Sequence, residues 1–199
     1  MSTSEDPRTR AYNEYFLLSG SVFYGFGRAE SSLAATLRMF VTSQMREDTG
    51  PIWQRLAVAA TILGNVRYAT LKDTYKRLLA LQEPSEELSQ SVDAVFQHMG
   101  DIQFLRDRMA HYLLKPLDTS YDGTWLSEDI AATRDFYSPK TYKFNVSALR
   151  AAFLDLKDVP VLLQDALGNP AAKPIELPAW RYKPSMLTLH RPKLADSSQ

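Results

Sequence analysis

The sequence predicts an all-α, up-and-down four-helix bundle with a long loop before the last helix and a Pro-rich, extended C-terminal arm. Three observations carry this reading. Apolar residues recur at alternating steps of three and four through four separate stretches, as in helices that bury one stripe. Gly50-Pro51, Glu83-Pro84 and Gly168-Asn169 punctuate those stretches with mostly short joins, as an antiparallel bundle requires. Strand signals are weak, since only short runs around residues 140–146 and in the tail could be extended.

The first stripe is Tyr12, Phe16, Ser19, Phe23, Phe26, Glu30, Leu33, Leu37 and Phe40, opened by Asp6-Pro7 and closed by Gly50-Pro51. Ser19-Gly20-Ser21, with Gly25 and Gly27, weakens its interior and predicts a break or bend near residue 20. The second stripe, Trp53, Leu56, Ala60, Leu63, Arg67, Leu71, Thr74, Leu78 and Leu81, reads as one helix ending at Glu83-Pro84. Ser85 then caps a third helix whose first turn holds Glu86 and Glu87, favoured there by the helix dipole. Its stripe is Val92, Val95, Met99, Ile102, Arg106, Met109 and Leu113, stopped near Leu114 because Pro116 disfavours helical geometry at Lys115. Residues 117–144, rich in turn formers and acidic side chains, read as a long connection with one short helix. The fourth stripe is Val146, Leu149, Phe153, Leu156, Pro160, Leu163 and Leu167, capped by Asn145 or Ser147, kinked at Pro160 and closed by Gly168-Asn169. Helical periodicity stops after 168, so the division is a bundle over 1–168 and an arm over 169–199. Trp180, Tyr182, Met186, Leu187 and Leu189 in that arm favour a segment lying on the bundle or on a partner. A disordered tail is the alternative.

Composition limits the chemistry. The chain of 199 residues balances 23 Lys+Arg against 23 Asp+Glu, which argues against coating nucleic acid through bulk charge. The neutrality is a sum of unlike parts, with a net of −3 over residues 1–168 and +3 over 169–199. Absence of cysteine excludes disulfides, thiolate metal sites and cysteine nucleophiles, and three histidines leave little for a metal site. The polar N-terminus and the shortness of every apolar run predict a cytoplasmic protein with no membrane segment, no metal and no cofactor.

Three stripes carry a charge where an apolar residue is expected: Glu30, Arg67 and Arg106. Buried charges are normally paired, so a network in which Glu30 bridges one or both arginines is one reading. The other is a binding site, because one carboxylate against two guanidiniums leaves a surplus positive charge suited to phosphate oxygens. Asn65 would add an amide donor beside Arg67. On the third helix His111 lies four residues after Asp107, within reach on one face. The carboxylate and the helix C-terminus favour the imidazolium while Arg106 and Arg108 oppose it, so His111 is either a tunable acid/base or a simple C-cap. His98 and His190 have no comparable neighbours and read as surface residues.

Arg106-Asp107-Arg108-Met109-Ala110-His111 resembles the signature of HEPN domains, small helical bundles with an arginine, a polar residue and a histidine after a short spacer. The resemblance implies a homodimer in which two motifs meet and, in active members, a metal-independent ribonuclease site. Carried over, His111 is the acid/base on the ribose 2′-hydroxyl or leaving oxygen, Arg106 holds the scissile phosphate and Asp107 orients the histidine or its partner. It also implies a toxin or phage-defence setting with a protein antitoxin as a further partner. The alternative within the resemblance is a non-catalytic protein- or nucleotide-binding module. Arg106 and His111 sit about 140° apart around an ideal helix, so one chain cannot aim both at one phosphate, whereas a two-fold pair could.

Overall fold

Helix α1 (Pro7–Gln44) starts at Asp6-Pro7 as expected, with proline at its first position and the Asp6 carboxylate accepting from the Arg8 backbone N–H at 3.4 Å. It then runs 38 residues without the break expected near residue 20. A Cβ at Gly20 or Gly27 would meet nothing within 4 Å, so these glycines carry only their intrinsic propensity cost of about 1 kcal/mol each, which packing on the opposite side offsets. The buried stripe is displaced from the one read in the sequence. Ala11, Tyr15, Leu18, Val22, Phe26, Ala29, Leu33 and Leu37 are buried, while Phe16 is 64% exposed and Glu30 lies at the stripe's edge.

The expected second helix is two, α2 (Ile52–Ile62) and α3 (Tyr68–Ala80). Arg67, the residue before α3, has an extended backbone, and the intervening Gly64-Asn65-Val66 is a run of poor helix formers. Helix α4 (Glu86–His111) begins with the expected cap, the Leu88 N–H bonding Ser85 Oγ at 3.1 Å. It ends at His111, and β1 (Leu113–Pro116) follows.

A four-stranded antiparallel sheet of order β1-β2-β3-β4 departs from the all-α expectation. Strands β2 (Thr124–Glu128) and β3 (Thr141–Asn145) lie in what read as a connection with a short helix, and β4 (Leu187–His190) comes from the Pro-rich arm. Pro116, which cannot donate to a ladder, sits on edge strand β1 opposite Trp125. Gly123 (φ +86°) turns the chain into β2, and its carbonyl accepts from the Val146 N–H. There α5 (Val146–Gln164) starts directly from β3, with Asn145 Oδ1 capping the Ser147 N–H at 2.9 Å.

The computed structural model describes residues 6–45, 50–63, 66–111, 113–117, 123–128, 141–164, 166–167, 169 and 173–190. Its contacts divide into two compact units. The first comprises Met1–Phe23, Asp101–Phe153 and Arg181–Gln199 and holds the whole sheet. Trp125, Phe144 and Leu187, adjacent across the strands, form its buried face, and Tyr12 and Tyr15 of α1 lie against Trp125 at ring distances of 5.0 and 4.3 Å. The second unit comprises Tyr24–Gly100 and Leu154–Trp180. Its core includes Phe26, Leu37, Leu71, Val95 and Leu163, with the Tyr75 hydroxyl donating to the Leu163 carbonyl at 2.7 Å. Among the described residues no helix is long and apolar enough to cross a membrane.

Four phenols are held above the ordinary tyrosine pKa by burial: Tyr15 and Tyr182 in the first unit, Tyr68 and Tyr75 in the second. The charge of Asp101 adds to the effect at Tyr182, and that of Glu30 adds to it at Tyr68. A raised folded-state pKa means stability is intact below the unfolded value of about 10 and falls as pH climbs above it. Absorbance titration of the ten tyrosines is therefore expected to show an exposed class ionising near pH 10. A second class should ionise only with loss of the helical circular dichroism. A single titration with helicity unchanged would contradict this.

Candidate functional site

The residues singled out in the sequence fall into two places. Arg106, Asp107 and His111 occupy the last two turns of α4, in the first unit. Arg106 Nη1 lies 3.0 Å from Asp107 Oδ1, both side chains about one-third exposed, and the guanidinium sits 5.8 Å from the Phe23 ring centre. His111 is exposed at the final residue of α4. The expected Asp107–His111 contact is absent; the carboxylate turns to Arg106 instead.

The buried guanidinium of α4 is not Arg106 but Arg108, 3% exposed. The buried histidine is His98, read in the sequence as a surface residue. Its Nε2 lies 3.0 Å from Asp155 Oδ2, and the Trp180 indole stacks on its ring at 4.0 Å. The cause is register: steps of three and four from Val95 reach His98 and Ile102 as readily as Met99, so the buried face of α4 is wider than one stripe.

Glu30 and Arg67 line one cleft in the second unit. Helix α1 contributes Gly27, Glu30, Ser31, Ala34 and Arg38, positions spaced along one helical face. The opposing wall is Leu63, Val66, Arg67 and Leu71, and the cleft encloses about 490 Å³. One carboxylate shares a cleft with two guanidiniums, but the second is Arg38 rather than Arg106. Among the described residues no ion pair within 4 Å joins Glu30 to either arginine, so the expected bridging network is not formed. Arg38 was legible in principle, eight residues beyond Glu30 with small residues between them on that face. Asn65 lies outside the described residues.

No protein-family model matches the chain, and no curated protein and no solved structure matches it. The two residue clusters therefore have to be interpreted on their own chemistry. Among the described residues no group of three or more His, Asp or Glu is arranged to hold a metal ion.

Proposed function

We propose that the chain is an RNA-directed, HEPN-type protein of the cytoplasm, a metal-independent endoribonuclease whose site is completed in a homodimer. The observation that supports it is the presence of an exposed imidazole and a guanidinium–carboxylate pair about one-third exposed on two successive turns of α4. In this reading Arg106 binds the scissile phosphate and His111 of the facing copy moves the proton at the 2′-hydroxyl or the leaving oxygen. Asp107 orients the arginine it already contacts. A toxin or phage-defence setting, with an antitoxin partner, belongs to the same resemblance.

Cleavage of a generic RNA is expected to persist with chelator and to be abolished by His111→Ala. Equal cleavage by the wild type and this variant would trace the activity to a contaminant and remove the enzyme reading.

The second reading, a non-catalytic interaction or nucleotide-binding module, is favoured by one feature. Asp107 pairs with Arg106 rather than His111, so a single chain brings no acid–base couple together. No cleavage by the wild type would select it.

A further inference from the structure

We infer that the cleft between α1 and the start of α3 binds a nucleotide, its phosphate on Arg38 and Arg67 and its sugar or base donors on Glu30. The inference rests on the nucleotide-binding reading above and gives it a place and an orientation.

Charge sets the ligand class. Two guanidiniums and one carboxylate line the same cleft without pairing among the described residues, leaving a surplus positive charge. The Nε of Arg38 is buried with no hydrogen-bond partner among the described residues. A buried donor on a cation is costly to leave unmade, and a turn of the guanidinium into the cleft would place its fork on a phosphate oxygen. Arg67 is exposed at the cleft edge, where it can reach the same anion, and Ser31 adds a neutral donor.

Position separates the two ends of the ligand. Glu30 and Arg38 are eight residues apart on one helix, about 12 Å along its axis. A carboxylate only accepts, so at that distance it does not oppose the phosphate and selects for hydroxyl or amino donors on the nucleoside. Leu63, Val66 and Leu71 supply an apolar wall for a base, and the volume falls in the range of small-molecule sites.

Calorimetric titration of the full chain at low salt with AMP, GMP, adenosine and inorganic phosphate tests this. At least one of the two nucleotides is expected to bind, with adenosine and phosphate each about tenfold weaker or more. Arg67→Glu, at an exposed position, and Arg38→Met are each expected to weaken the nucleotide about ten- to a hundredfold with unchanged circular dichroism. Glu30→Gln is expected to leave phosphate binding unchanged and to shrink the preference for nucleotide over phosphate. Nucleotide binding unchanged in both arginine variants would overturn the cleft while leaving the nucleotide-binding reading in place. Adenosine binding as tightly as the nucleotides would overturn the phosphate assignment. No binding of either nucleotide to the wild type would remove that reading and the cleft together.

Discussion

Asp155→Ala is expected to lower the unfolding free energy by about 3–5 kcal/mol, the cost of stripping one partner from a buried polar pair. The Asp155 side chain is fully buried, and the imidazole 3.0 Å from its Oδ2 is only 6% exposed. Trp180 covers a face of that imidazole, with ring planes 13° from parallel. Without the carboxylate, His98 Nε2 loses its bond in a place where the indole blocks water on one side. Asp155→Asn retains a carbonyl oxygen of similar shape and is expected to lose roughly half as much or less. Urea unfolding followed by circular dichroism and tryptophan fluorescence measures both, Trp180 being a reporter at the site itself. A loss below about 1 kcal/mol for Asp155→Ala would mean that water or another donor replaces the carboxylate without difficulty.

This pair also shows where sequence reasoning stopped. Helical periodicity marked the helical stretches but broke α1 near residue 20 and merged α2 with α3, while the caps at Ser85 and Asn145 were readable because a side-chain oxygen two or three residues before an orphan N–H is a local arrangement. Burial on a helix is a sector rather than a line, so a stripe chosen one residue late still looks regular. On α1 that error promoted Phe16 and demoted Tyr15, and on α4 it promoted Arg106 over Leu105, while Arg108 lay off the chosen stripe altogether. The partner that makes His98 tolerable, Asp155, lies 57 residues away on α5. No local spacing rule connects them.

The runs around 140–146 and in the tail, read as the stretches that could be extended, hold β3 and β4, but the sheet as a whole was hidden for a different reason. Its strands are four or five residues long, too short for alternation to be counted against chance. Leu126 is buried although it points opposite to Trp125 and Ser127, so even the alternation within β2 is obscured. The aromatic and hydroxyl residues of Thr-Trp-Leu-Ser-Glu and Thr-Tyr-Lys-Phe-Asn were the available signal, and turn formers around them favoured a loop reading. The candidate cleft was half legible. Glu30 and Arg67 stood out as charges on apolar stripes, whereas the only signal for Arg38 was its eight-residue spacing from Glu30 across small residues.

Two arginines near the end of α4 differ in burial, and Arg108→Ala against Arg106→Ala tests what each does. Arg108→Ala is expected to cost about 3 kcal/mol or more. Its Nη2 donates to the Ser127 carbonyl at 3.0 Å, and the Ser127 hydroxyl donates back to the Arg108 carbonyl at the same distance. Its guanidinium also lies 4.6 Å from the centre of the Tyr142 ring, and Tyr142 stands opposite Ser127 in the β2–β3 register. One side chain thus ties the end of α4 to two strands, and Ser127 is fully buried, so truncation leaves its carbonyl in need of a donor. Arg108→Lys keeps the charge but not the fork and should fall between. A double-mutant cycle with Tyr142→Leu, which removes the ring under the guanidinium, is expected to return a coupling of about 0.5 kcal/mol or more. Arg106→Ala removes a solvent-screened pair and should cost less than about 1 kcal/mol. If the ribonuclease reading is right, Arg106→Ala loses cleavage with its melting midpoint nearly unchanged, while any loss in Arg108→Ala follows the unfolding curve. Equal destabilisation by the two variants would erase the distinction and return Arg106 to the core.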